Sequence, residues 1–156
     1  MMRFREAACV VALASLAAIA PVCAEPFESN PNLATSDADY AAGKQAMDRK
    51  NWPDAAKSFQ IALKRNPDSA DLHNYLGYTY RNQKNYDLAI RHYKRAIEID
   101  PRHRGAHEYI GEAYLMMNDL PNAEKHLTAL RGICLLRCEE LEDLDKAVVA
   151  YKAKRG

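Results

Sequence analysis

The chain is poor in everything that usually announces catalysis. Its 156 residues hold four cysteines, one tryptophan, three phenylalanines and six glycines. They contain no glycine-rich phosphate loop, no nucleophile elbow and no paired buried carboxylates, so phosphoryl or acyl transfer has no anchor here. His107-Glu108 begins the pattern of a zinc protease, but Gly111 stands where the second histidine is required one turn later. The expectation is a protein that is not an enzyme and carries no cofactor and no metal.

Surplus positive charge is missing as well. Residues 1–24 contain Arg3, Arg5 and Glu6, so without them the 22 basic and 21 acidic residues become 20 of each. A nucleic-acid partner is excluded, because binding phosphates needs Lys and Arg in excess on one face. Long hydrophobic runs are absent too. The small and apolar run Ala7 to Ala20 falls short of the roughly 20 residues that span a bilayer.

That run follows Arg3 and Arg5 and stops at Pro21, with Val22-Cys23-Ala24 at the position of a signal-peptidase site. Residues 1–24 are therefore expected to be a cleaved secretory signal, leaving Glu25 as the N-terminus of a periplasmic or secreted protein with no stable membrane insertion. Val22 is too bulky to favour lipid attachment at Cys23. Cleavage removes Cys9 and Cys23, so the exported form keeps Cys134 and Cys138. In an oxidising compartment an even pair reads first as a disulfide. Within one continuous helix a spacing of four directs the β-carbons poorly, so a bridge requires a broken helix at this point. The alternative is a thiol-redox or copper-handling pair, since two thiolates can hold Cu(I).

What the chain does have is a repeat. Gly43, Gly77 and Gly111 are 34 residues apart, as are Ala55, Ala89 and Ala123; Ala62 and Ala96 lead to Leu130 in the same phase. Bulky residues recur at Phe59, Tyr93 and Leu127, and at Leu76 and Ile110, Tyr80 and Tyr114, where the first unit has Ala42 and Ala46. Each unit is interrupted at Lys50-Asn51-Trp52-Pro53, Lys84-Asn85-Tyr86-Asp87 or Asn118-Asp119-Leu120-Pro121, where Asn and Asp favour a turn and Pro a first helical turn. Pro67 and Pro101 close the first two units. Every unit thus reads as helix, turn, helix, with small residues at close approaches and large ones between hairpins.

Leu76-Gly77, Tyr80, Ala89, Tyr93, Ala96 and Pro101 on this period resemble a tetratricopeptide repeat. The resemblance implies an all-α fold: three tandem repeats at 36–69, 70–103 and 104–137 in a short right-handed superhelix. A signal at 1–24 and a flexible lead-in at 25–35 would precede them. A capping helix and tail at 139–156 would follow, with Leu141, Leu144, Ala147, Val148 and Tyr151 as its apolar stripe. The third unit departs from the pattern at Leu130 and Leu135, so its second helix is expected to pack differently or end early.

In similar proteins the first helices of the repeats line a concave groove that holds a peptide or protein partner. Carried over by phase, that lining is Tyr40, Lys44, Met47 and Asp48, then Asn74, Tyr78, Arg81 and Asn82, then Glu108, Glu112, Leu115 and Met116. Tyr, Met and Arg are frequent binding anchors, although some of these residues could simply cover neighbouring helices. The sites of the family's carboxylate clamp carry Tyr40, Lys44, Asn74, Tyr78 and Glu108, which does not support such a clamp. Asp48, Glu108 and Glu112 outnumber Lys44 and Arg81, favouring a ligand with some positive charge. His103 and His107 are spaced for one helical face and read as surface histidines rather than metal ligands.

Overall fold

The computed structural model describes residues 37–155. The signal and lead-in expected over residues 1–35 lie outside the described residues. Seven helices follow one another: α1 (Ala38–Asp48), α2 (Trp52–Arg65), α3 (Ala70–Asn82), α4 (Tyr86–Ile99), α5 (Arg104–Met116), α6 (Leu120–Ile133) and α7 (Glu139–Ala153). They form three helical hairpins in tandem with α7 packed on α5 and α6, and no strand occurs among the described residues. None of these helices is long and apolar enough to cross a membrane.

Local chemistry sets the boundaries. The N-cap carboxylate, amide or hydroxyl oxygens of Asp37, Asn51, Ser69, Asn85 and Asp119 accept hydrogen bonds from backbone amides of the first turns of α1 to α4 and α6. At α5 the imidazole of His103 takes this role, its Nδ1 accepting from Ala106 N at 3.0 Å. The turn inside each hairpin is the same in all three units: Lys50, Lys84 and Asn118 adopt left-handed φ values of 55°, 61° and 63°. The expected breaks at 50–53, 84–87 and 118–121 lie at these turns.

Packing follows the small-against-large pattern. A β-carbon at Gly43 would lie 2.6 Å from the Phe59 ring, and one at Gly77 would lie 2.5 Å from the Tyr93 ring. Phe59 and Tyr93 are fully buried, and each such burial contributes on the order of 2–3 kcal/mol. The third unit solves the same problem differently. Its residue in phase is Leu127, and the atoms nearest Gly111 come from Leu144 of α7, at 2.6 Å. The capping helix thus supplies the bulk that the third hairpin lacks. α6 does not end early, stopping at Ile133 in phase with Arg65 and Ile99, and Leu130 is fully buried at the position of Ala62 and Ala96.

Two apolar clusters result, one centred on Phe59, Leu72 and Leu76 and the other on Tyr93, Ile110, Leu130 and Leu144. Tyr80 packs against both and joins them.

Candidate functional site

The first helices of the hairpins, together with α7, line a half-open cavity of about 420 Å³. Lys44 and Met47 come from α1; Asn74, Tyr75 and Tyr78 from α3; Gly105, Glu108 and Tyr109 from α5; Glu139, Glu140 and Asp143 from α7. Five residues expected at the groove, Lys44, Met47, Asn74, Tyr78 and Glu108, therefore meet around one space.

The others are placed elsewhere. Tyr40 packs edge-on against Phe59 and Tyr75, its hydroxyl donating to Tyr75 Oη at 3.4 Å. Arg81 is largely buried, paired with Glu112, its guanidinium 5.2 Å from the Tyr78 ring centre and 5.1 Å from that of Tyr109. It braces the groove wall rather than reaching outward. Asn82 is exposed and turns back to donate from Nδ2 to Tyr78 O at 2.8 Å. Asp48 is exposed at the end of α1. Leu115 corrects the assignment by phase: it is 8% exposed and belongs to the C-terminal core, because the third unit draws apolar residues toward Tyr93, Ile110 and Leu144. Met116 is 52% exposed at the last position of α5 and lies outside the cavity.

Six further lining residues lie outside the set expected from phase. Tyr75 and Tyr109 are 34 residues apart and lie on the groove side, so the period itself carried that signal. Gly105 leaves room beside Asn74, whose Nδ2 would be 3.4 Å from a β-carbon there. The acids of α7 enter because that helix packs against α5; a single amphipathic stripe does not say which neighbour its polar face will meet.

Electrostatically the cavity is uneven. At the α1 wall Lys44 Nζ sits 4.5 Å from the Tyr75 ring centre. At the opposite wall burial, reinforced by Glu112, Asp143 and Glu140, pushes the Glu108 carboxyl up to about 8. Asn74 is 6% exposed and its Oδ1 accepts no hydrogen bond.

The histidines form a second repeated device. His107 is buried, not on the surface: its Nδ1 lies 3.0 Å from Nδ1 of His126 and its Nε2 3.2 Å from Pro101 O. Thirty-four residues earlier, His73 makes the same contacts with His92 at 3.1 Å and Pro67 O at 3.2 Å. A carbonyl only accepts, so Nε2 of His73 and of His107 must carry the proton and their Nδ1 atoms accept from His92 and His126. His92 stacks on Tyr80 and His126 on Tyr114. His103, the other member of the expected pair, instead meets Asp71 Oδ1 at 3.1 Å. No group of three or more His, Cys, Asp or Glu poised to hold a metal occurs among the described residues.

Between α6 and α7 the helix is broken at residues 134–138, where Leu135 and Leu136 are 91% and 86% exposed. Cys134 and Cys138 face each other across this turn with Cα atoms 6.0 Å apart and their sulfurs at 2.05 Å.

Comparison with known proteins places this architecture. Among solved structures, the chain is similar to the TPR2B domain of yeast Sti1 in its pHsp70 complex: TM-score 0.70 at 21% identity, over 75% of this chain and 95% of that one. It is also similar to the Yersinia enterocolitica type III secretion chaperone SycD in complex with a peptide of the translocator YopD. There the TM-score is 0.67 at 21% identity, over 76% of this chain and 92% of that one. At such identities the likeness is one of fold. No curated protein sequence matches the chain. Two tetratricopeptide repeat models match it, one over residues 40–103 and the other over 80–133. The hairpins, the phase of their glycines and both models coincide over the same residues: the chain belongs to the tetratricopeptide repeat family.

Proposed function

We propose that this protein is an interaction module of the cell envelope or exterior, which holds a peptide or a segment of a partner protein in the groove of its first helices. The observation that carries the reading is the cavity where Lys44, Met47, Asn74, Tyr78 and Glu108 converge, about 420 Å³ in volume and lined by aromatic and polar groups. The Sti1 domain and SycD, of similar fold, are described in complex with pHsp70 and with a YopD peptide. The location rests on Arg3, Arg5, the run Ala7 to Ala20 and the site after Ala24.

The test is a crosslinking pull-down from the native envelope, comparing wild type with a Lys44→Glu, Tyr78→Ala double variant. Arg81 is left in place, because a carboxylate there would face Glu112 inside the wall. A melting curve within a few degrees of wild type shows that the variant folds. The expected result is loss of one prominent partner by about tenfold, the scale of removing an aromatic anchor. Partners retained in full by a folded variant would put the functional surface elsewhere.

Cys134 and Cys138 are assigned a structural role on the same reading, as a bridge that pins the turn before α7 once the chain is exported. Closing so short a loop contributes about 2 kcal/mol. Protein purified from its native compartment should show no free thiol, and reduction should lower its melting temperature. Two free thiols, or copper bound to them, would favour the redox alternative instead.

A further inference from the structure

We infer that the α7 end of the groove is a seat for one cationic side chain, an arginine or lysine of the bound segment, taken up by Glu108, Asp143 and Asn74 beside Tyr109. The inference rests on the peptide-binding reading above and adds the chemistry of the ligand.

Three observations meet at this place. Glu108, Glu139, Glu140 and Asp143 line one wall, and the cations nearby are already engaged: Arg81 with Glu112, Arg104 with Glu140 at 3.6 Å, and Lys146 with Asp143 at 3.0 Å on the solvent side. Glu108 forms no ion pair among the described residues, and Lys44 on the far wall rests on Tyr75. A buried carboxylate without a partner is costly, and a cation within reach relieves that cost. Independently, Asn74, 6% exposed and lining the same cavity, keeps an acceptor oxygen that no group of the chain satisfies. Such an oxygen calls for a donor, and guanidinium and ammonium are donors only; the atom is itself buried, so the Asn74 amide turns toward the cavity to meet one.

The aromatic surroundings agree. Tyr78 and Tyr109 already hold the Arg81 guanidinium at 5.2 and 5.1 Å, so this wall accepts a planar cation where it packs on itself. Glu108 faces Glu112 on its own helix, Arg81 on α3, and Glu140 and Asp143 on α7. Its raised carboxyl means that a cation entering the seat displaces a proton.

The probe is N-acetyl-arginine amide, titrated into the full chain by NMR beside N-acetyl-citrulline amide, which has nearly the same shape without the charge. The arginine compound is expected to shift the resonances of Asn74, Glu108, Tyr109 and Asp143 and to bind at least about fivefold more tightly than the citrulline compound. Its affinity should rise about fivefold or more between pH 6.5 and 8.5, as the proton on Glu108 ceases to compete. Glu108→Gln keeps volume and hydrogen bonding; it should remove that pH dependence and weaken binding while the rest of the spectrum stays in place. Equal affinity for the two compounds, or shifts confined to other surfaces, overturns the inference. If the arginine probe fails while the pulled-down partner crosslinks to the Lys44 wall, the cation seat falls and the groove reading stands. If the partner crosslinks only outside the groove, both fall.

Discussion

Gly77→Leu is expected to lower the melting temperature by on the order of 10 °C, a loss of about 3 kcal/mol or more, read by thermal circular dichroism. A β-carbon alone would lie 2.5 Å from Cδ1 and Cε1 of Tyr93, and that ring is fully buried between α4 and the neighbouring helices. Leucine adds three further carbons to a place without room for one. Since a helical glycine is less favourable than most residues by about 1 kcal/mol, a neutral result would mean that Tyr93 yields at a cost of only about that much, and the small-against-large logic of the hairpin would be wrong. A Gly77→Leu, Tyr93→Ala double variant should recover part of the loss, because the clash goes with the ring.

Stability should also be greatest near pH 6.5 and fall on both sides. Burial, together with the partner histidine, holds His92 and His126 down to about 4, and burial lowers His73 and His107 as well. Above the ordinary value of about 6.5 both folded and unfolded chains carry these rings neutral; below it the unfolded chain takes up protons that the folded chain refuses. Each of His92 and His126 then removes on the order of 2 kcal/mol between pH 6.5 and 5. Glu108 acts in the opposite sense. Its folded value of about 8 lies above the ordinary one, so stability rises by about 1 kcal/mol per pH unit as the pH falls from 8 toward 4.5. From pH 8 to 6.5 the carboxyl dominates; from 6.5 to 5 the two histidines outweigh it, with a net loss of about 2 kcal/mol. Asparagine at 92 and 126 keeps an N–H near the position of Nδ1, so the double variant His92→Asn, His126→Asn should lose markedly less stability over that acid interval than wild type. Denaturant midpoints at pH 8, 6.5 and 5 decide the matter; a wild-type profile that does not fall between 6.5 and 5 excludes the histidine account.

How much of this was legible in the sequence depends on what a period records. Phase alone carried the hairpins and the close approaches at Gly43 and Gly77, because these are set within one unit and copied in the next. It also located Lys44, Met47, Asn74, Tyr78 and Glu108, which surround one cavity because first helices stack in register. It failed where the third unit stops behaving like the others. By analogy Leu115 falls in the groove, yet α7 closes that end and the side chain joins the core. The same helix fills the space at Gly111 with Leu144 and brings Glu139, Glu140 and Asp143 to the cavity, contacts that a lone stripe of apolar residues does not specify. The histidine pairs were in the period all along, His73 recurring as His107 and His92 as His126, but ligand spacing along one helix says nothing of a partner on the facing helix.

Each helix packs chiefly on its neighbours along the chain, and α1 rests mainly on α2. Mechanically the described residues form a short spring clamped at one end by α7. Lys44 and Met47 ride on the first helix, while Glu108 and Asp143 belong to the clamped end. A segment that spans the cavity therefore acts as a strut, and part of its binding energy goes into setting the pitch of the spring. Partners that share the same contacts but differ in stiffness would then be held with different strength, so under the proposed function the groove would discriminate by rigidity as well as by charge.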